Sequence, residues 1–149
     1  MYQEGANILT LSKGESQAVE SLDYSRFMRS QLPDFLRLEV GKDQEGLITF
    51  PSRHSRLRAL PSTEDAGIGF GGATRVALDE FEYHPYDRKN YAELLPPILK
   101  GGQLIIQSTA DRFKIGSLFK ELYVAAKHGD NNFYPMFFPY DVLPERSLE

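Results

Sequence analysis

Short apolar runs alternate with helical patterns along this chain, and this alternation limits the folds that it can adopt. Residues 7–11, 75–78 and 103–107 each have the length and composition of a buried strand. Strands that alternate with helices form a mostly parallel sheet, because each parallel connection has to cross over one face of it. We therefore predict an α/β fold with a mostly parallel sheet. The absence of repeats and composition shifts predicts a single domain over residues 1–149.

Two helices are predicted from apolar residues at helical spacing. The first covers residues 15–31 and stops before Pro33, because proline cannot continue the helical hydrogen-bond ladder. The second covers residues 117–127, with Ser117 available near its start and Gly129 placed to end it. The helices are expected to cover the sheet, and the run at 103–107 is apolar enough to be covered on both faces.

Two consecutive prolines, Pro96 and Pro97, interrupt a third helical pattern over residues 91–99. Proline lacks an amide hydrogen and is tolerated best in the first turn of a helix. The pattern therefore predicts two short helical pieces rather than one helix.

Three further stretches are predicted as strands. Residues 36–40 and 47–50 are separated by a turn-prone segment, which predicts a hairpin. Residues 134–138 form a fourth candidate core strand, although Pro135 lies inside it. The aromatic residues in and beside this last stretch are interpreted as core rather than as a platform for stacked bases.

Composition excludes several classes of function. The 21 acidic and 17 basic residues give a formal net charge of -4, which argues against a broad basic face for nucleic acid. The absence of cysteine excludes disulfides, thiolate metal sites and a cysteine nucleophile, and it fits a cytosolic protein. The longest apolar runs are far shorter than the ~20 residues that span a bilayer, so no membrane association is expected.

The glycines at 67, 69 and 72 satisfy the pattern G-x-G-x-x-G, which is known from dinucleotide-binding sites. In such sites the glycines follow a strand and open a helix, so that the phosphates meet the helix N-terminus. Here they precede the predicted strand instead. We interpret them as a turn that leads into the strand. The phosphate-binding loop G-x-x-x-x-G-K-[ST] is absent from the chain.

Two adjacent carboxylates, Asp79 and Glu80, follow the apolar strand at 75–78. A parallel sheet delivers such residues to its carboxyl edge, where ligands of open α/β folds bind. In a nucleoside triphosphatase of this layout the first carboxylate holds magnesium through water, and the second orients or deprotonates the attacking water. The alternative is a solvated loop.

Two hydroxyl side chains, Ser108 and Thr109, follow the next apolar strand and are therefore expected at the same edge of the sheet. Hydroxyls at that position can sense a γ-phosphate or relay its loss. The alternative is that one of them caps a local turn.

Taken in order, four segments resemble the ATPase domain of phage terminase large subunits, and the resemblance extends over residues 7–144. They match the family's segment after the P-loop helix, its hairpin strand, its Walker B motif and its coupling motif. In this sequence they are residues 8–12 with Gln17 and Ala18, residues 55–61, residues 76–80 and residues 104–110.

The resemblance implies a three-layer P-loop-NTPase-like domain that lacks the P-loop strand. It places Asp79 at the metal position, Glu80 at the catalytic carboxylate, and Ser108 and Thr109 in the coupling motif. ATP and Mg²⁺ are the implied cofactors of the full-length protein, in which the domain would power DNA packaging. The family's P-loop and nuclease domain have no counterpart here, so we expect neither tight ATP binding nor hydrolysis by this chain alone.

In the full-length context the resemblance implies double-stranded DNA, the portal and the small terminase subunit as partners, and the bacterial host cytoplasm as the location. A homo-oligomer is also left open. Two alternatives remain. Residues 79–82 and 108–110 also resemble the second and third motifs of helicase-type ATPases, and the chain could instead be a non-catalytic binding or structural remnant.

The resemblance also predicts an open strand edge. In the family, the P-loop strand lies between the coupling-motif strand and the strand that corresponds to residues 134–138. Without it, residues 104–106 would present unpaired backbone groups, an arrangement that proteins avoid or cover. We predict that residues 134–138 shift inward to pair there; the alternative is pairing with a second copy of the chain.

Overall fold

The structure is a computed structural model that describes residues 3–70, 72–139 and 142. The last part of the terminase resemblance, up to residue 144, lies partly outside this range. In the described part a six-stranded sheet has the order β2-β3-β4-β1-β5-β6. The strands are β1 Asn7–Ser12, β2 Asp43–Gln44, β3 Leu47–Phe50, β4 Ser55–Pro61, β5 Arg75–Leu78 and β6 Gln103–Ile106.

Four of these strands, β4, β1, β5 and β6, run parallel to one another, and β2 and β3 form an antiparallel edge. Three helices accompany the sheet: α1 Glu15–Ser30, α2 Asp87–Leu99 and α3 Leu118–His128. The predicted α/β fold with a mostly parallel sheet is confirmed. Across the described ranges, no helix combines the length and the hydropathy needed to cross a bilayer.

Helices lie on both faces of the sheet, over two separate hydrophobic clusters. On one face the leucines and valine of β1 and β5 pack with α2 and α3; the cluster includes Leu9, Leu11, Val76, Leu78, Leu94 and Leu118. On the other face, Ala18 and Leu22 of α1 pack on Ile48 and Ala59. Each fully buried leucine contributes about 1.5–3 kcal/mol relative to an exposed one. These clusters determine which side of each strand is buried. They therefore also determine which side chains lie at the edge of the sheet.

The start and end signals of α3 act as the sequence predicts. The Ser117 hydroxyl accepts a hydrogen bond from the Lys120 amide at 3.2 Å, which caps the helix. Gly129 ends it in a left-handed conformation with φ 79°. The helix begins and ends one residue later than predicted.

The prediction of two helical pieces around Pro96 and Pro97 was wrong, because α2 is one helix from Asp87 to Leu99. Both prolines lie in its last turns, and the φ that a proline ring imposes is itself helical. Leu94 and Pro97 are buried on the same helix. Their packing offsets the backbone hydrogen bonds that the two prolines cannot make.

The predicted strand at 36–40 was also wrong. Residues 34–36 form a 3-10 turn, and the strand that pairs with β3 is β2, seven residues after that turn. The Arg29 guanidinium donates to the Leu38 carbonyl oxygen at 2.6 and 2.9 Å, so a side chain satisfies that part of the backbone. The hairpin therefore exists, but its first strand begins later and is shorter.

Residues 134–138 do not form a strand, and they do not pair with β6. Prolines at 135 and 139 lack the amide hydrogens that a strand ladder requires. The side chains of Tyr134 and Phe137 are 86% and 74% exposed, so their predicted place in the core was wrong as well. Within the described residues β6 pairs only with β5. Its Ile105 is 46% exposed, which corrects the prediction of a strand covered on both faces.

Candidate functional site

The carboxyl ends of β5 and β6 bring the predicted site residues to one edge of the sheet. The two strands pair in parallel with Leu78 opposite Ile106. Asp79 and Gln107 are therefore the next residues on neighbouring strands. The Gln107 side-chain amide donates to Asp79 Oδ1 at 2.8 Å. The predicted positions of the carboxylate pair and of the residues after β6, at one carboxyl edge of the sheet, are therefore correct. The chemical roles of these residues stay predictions.

The two predicted hydroxyl residues differ in their contacts. The Ser108 hydroxyl oxygen accepts a hydrogen bond from the Glu82 amide at 3.1 Å. It therefore touches the turn that follows the two carboxylates. The Thr109 side chain is exposed, and the Thr109 carbonyl oxygen accepts from the Ser108 hydroxyl at 3.3 Å. The structure therefore joins Ser108 to the turn more closely than Thr109.

Glu80 has an unusual backbone conformation, with φ 51° and ψ 40°. Few residues other than glycine adopt this left-handed region, and its occurrence at a strand end is typical of functional sites. The Glu80 side chain is 40% exposed, although its Oε2 atom, which faces Lys13, is buried. The turn thus presents a carboxylate at the open edge of the sheet.

Lys13 is a site residue that the motif analysis missed. It follows β1, the strand beside β5, and its ammonium nitrogen lies 2.7 Å from Glu80 Oε2. The hydrogen bond to Glu80 raises the pKa of the Lys13 amine above its ordinary value. The same nitrogen lies 5.6 Å from the centre of the Tyr83 ring. Because parallel strands bring their carboxyl ends to one edge, the residue after β1 could have been expected beside the residues after β5.

His84 contacts the backbone and a ring beside the two carboxylates. Its Nε2 donates to the Asp79 carbonyl oxygen at 2.8 Å. Its ring packs edge to face with the buried Phe81 ring, with 5.3 Å between the two ring centroids. Burial lowers the pKa of His84, because the charged imidazolium would lose its hydration. A neutral ring with hydrogen on Nε2 fits both observations. His84 therefore holds the backbone at Asp79 in place.

An open cleft of about 230 Å³ lies between these carboxylates and α1, and it is lined by Gln17, Glu20, Ser21, Tyr24, Asp79 and Glu80. No group of three or more ligating side chains forms a complete metal cage in the described ranges. Magnesium is commonly held by one or two carboxylates together with water and substrate phosphates, so Asp79 with its neighbours fits such an ion.

A larger cavity of about 450 Å³ lies at the opposite edge of the sheet, around Asn7, His54 and Arg56. Arg56 is one of four basic residues at positions 53–58, and its guanidinium donates to Asn7 Oδ1 at 2.8 Å. Gly72, which precedes β5, also lines this cavity. Because ligands of open α/β sheets bind outside the carboxyl ends of the strands, the smaller cleft is the better candidate site.

Comparisons with known proteins support the fold. No protein-family model matches the chain, and no curated protein is significantly similar in sequence. Among solved structures, a large terminase from a thermophilic bacteriophage matches with a TM-score of 0.58 and 14% sequence identity. The match covers 88% of this chain and 32% of that one, so the chain spans about a third of that terminase. The chain therefore has a fold similar to part of a phage large terminase.

Proposed function

We propose that this chain is the Walker B and coupling part of a large-terminase ATPase motor that drives viral DNA packaging. The observation that carries the proposal is the shared sheet edge, where Gln107 bridges at 2.8 Å from the end of β6 to the Asp79 carboxylate. The fold similarity to a phage large terminase supports the same assignment. The alternative of a helicase-type ATPase rests on motif resemblance alone, whereas a phage large terminase is among the solved structures with a similar fold.

Each residue at the edge has a chemical role in this proposal. Asp79 would hold a magnesium ion through water, and the bound ion would neutralise charge on the phosphates of ATP. Gln107 fixes the orientation of the Asp79 carboxylate. Glu80, whose side chain is partly exposed, would accept a proton from the attacking water. Ser108 and Thr109 would respond to loss of the γ-phosphate, and Ser108 contacts the turn directly.

The unpaired edge of β6 supports the proposal that a P-loop strand belongs beside it. In the family that the sequence resembles, that strand lies beside the coupling-motif strand. In the described part of the chain β6 has one strand neighbour, and Ile105 is half exposed beside the free edge. Natural proteins seldom leave an apolar strand edge uncovered. A strand from elsewhere in a longer protein would cover it, and so would a second copy of this chain.

The proposal extends to the partners that act in the full-length context. There, ATP and Mg²⁺ would bind the completed domain, and double-stranded DNA, the portal and the small terminase subunit would contact the motor in the host cytoplasm. The net charge of -4 is in keeping with DNA contacts that are local or that lie in other parts of the motor.

Titration with a fluorescent ATP analogue tests the proposal on this chain. We expect weak binding and no turnover, because the backbone amides of a P-loop normally cradle the phosphates. Magnesium should not restore binding. The matched control is the Asp79→Asn variant, which should bind as weakly as the parent chain. Micromolar binding with measurable turnover would refute the assignment, and so would a reading frame without an upstream Gly-Lys-Ser/Thr loop.

A further inference from the structure

Glu82 is a buried carboxylate that the proposed reaction does not use. The residue is 1% exposed, and its side chain is fully buried. It does not line the open cleft beside Asp79 and Glu80. Removing a carboxylate from water costs several kcal/mol unless hydrogen bonds and an opposite charge compensate it. The partners of Glu82 therefore indicate what its burial accomplishes.

The Glu82 carboxylate is bound by the start of α3. The Ser117 hydroxyl donates to Glu82 Oε2 at 2.5 Å, and the Lys120 ammonium lies 3.4 Å from Oε1. Lys120 also donates to the carbonyl oxygens of Asp111 and Lys114. A single charge network thus joins the carboxylate to the helix start and to the loop before it.

The backbone of Glu82 makes two further connections. Its amide donates to the Ser108 hydroxyl oxygen at 3.1 Å, and its carbonyl oxygen accepts from the Lys114 ammonium at 2.5 Å. One residue therefore contacts the end of β6, the loop after it and the start of α3. Loops after strands are usually the mobile part of such folds, and this one is held at several points.

The turn that carries Glu82 also holds the candidate catalytic carboxylate. It covers Phe81–Tyr83 and directly follows Glu80. Glu80 and Tyr83, on either side of the buried residue, both contact Lys13. A change in how the turn is anchored would therefore alter the contact between Lys13 and Glu80.

We propose that Glu82 is a positioning residue that holds the Asp79–Glu80 turn, Ser108 and the start of α3 together, so that a displacement of Ser108 is transmitted to α3. The inference rests on the proposed function only in taking Asp79 and Glu80 as the reacting pair. The connection itself is a property of the chain without nucleotide.

The Glu82→Gln variant tests this role. Glutamine has nearly the same volume and keeps an oxygen for the Ser117 hydroxyl, but it removes the charge that faces Lys120. Two NMR measurements on the folded chain without nucleotide are decisive. One is the titration of the Lys13 amine, and the other is hydrogen exchange of the amides at positions 82 and 120.

We expect the pKa of Lys13 to fall toward the value measured in a Glu80→Gln variant, because the relaxed turn no longer holds Glu80 against it. The amides at positions 82 and 120 should exchange at least about tenfold faster relative to those of β1, which corresponds to about 1.4 kcal/mol of local opening. The matched control is Glu121→Gln. Glu121 lies in α3 beside Lys120, and this substitution breaks its exposed ion pair with Arg88 of α2. It should leave both measurements unchanged.

A uniform rise in exchange that includes β1, with an unchanged Lys13 titration, would show that Glu82 only stabilises the fold and would overturn the proposal. If the glutamine variant does not fold, Ser117→Ala decides. It removes one hydrogen bond to Glu82 and leaves the ion pair, but it also removes the cap of α3, so the amide at position 120 is left out of this comparison. A smaller fall in the Lys13 pKa together with faster exchange at position 82 supports the proposal, and an unchanged Lys13 titration in this folded variant overturns it. Neither measurement involves ATP, so failure of the ATPase assignment would leave these results standing.

Discussion

The backbone conformation of Glu80 allows a test that separates strain from side-chain contacts. Its φ of 51° lies in the left-handed region, where a residue with a Cβ atom loses about 1–2 kcal/mol. We compare Glu80→Gly with Glu80→Ala, because both substitutions remove the ion pair with Lys13. Their difference in stability therefore reports the backbone alone.

The glycine variant should be the more stable of the two. Relative to alanine, glycine removes a strain of about 1–2 kcal/mol from the folded state. The greater freedom of glycine in the unfolded chain lowers the stability by about 0.5–1 kcal/mol. The difference between the two midpoints is about 0.75 kcal/mol in the free energy of unfolding, or about 1.5–3 °C in Tm for a chain of this length.

Urea unfolding at neutral pH measures this difference, provided that the two variants unfold with the same dependence on denaturant. His54 supplies the control, because its φ of 49° is the other positive value among the described non-glycine residues and it lies away from the site. The same pair of substitutions there should give a similar difference. An alanine variant at position 80 as stable as the glycine variant would refute the reasoning, most clearly if His54 behaves as expected.

Two further predictions concern the residues that support the site. Phe81→Ala should lose about 3–5 kcal/mol of stability, because its ring is fully buried. Phe113→Ala, at a ring that is 78% exposed, should stay within about 0.5 kcal/mol; equal losses in urea unfolding would contradict this account. His84 has a pKa lowered below its ordinary 6.5, so its unfolded form binds protons more readily than its folded form. The contribution of neutral His84 to stability should be complete above about pH 6.5 and be lost as the pH falls below that value. A His84→Gln variant that loses as much stability as the parent chain between pH 7 and pH 5 would disprove this prediction.

The sequence predicted the elements whose patterns are local. The apolar runs of β1, β5 and β6 are distinct because each is short and bounded by polar or glycine residues. The parallel arrangement then places Asp79 and Ser108 at one edge without any knowledge of side-chain contacts. Both helices with clear start and end signals were located within one residue at each end.

The failures have physical causes that single-residue patterns do not contain. Residues 134–138 have the composition of a strand, but Pro135 within them and Pro139 after them lack amide hydrogens. The Pro96-Pro97 pair was expected to break α2, yet burial of Leu94 and Pro97 keeps the helix intact.

The contacts of Lys13 and Glu82 were missed for a different reason. They join residues far apart in the chain, such as Glu82 and Ser117. A sequence pattern reports spacing along the chain, whereas these contacts depend on how β1, β5 and α3 pack.

We propose that Glu80 acts on ATP once a P-loop strand covers the free edge of β6. The most direct measurement is ATP hydrolysis by the product of the complete reading frame that contains this chain, with and without Glu80→Gln. We predict that the substitution lowers kcat by about 10²–10⁴-fold, the usual contribution of a general base, while ATP still binds. A Glu64→Gln control, at an exposed carboxylate paired with Lys89, should retain the rate. Hydrolysis that proceeds equally well in the Glu80→Gln protein would contradict the account.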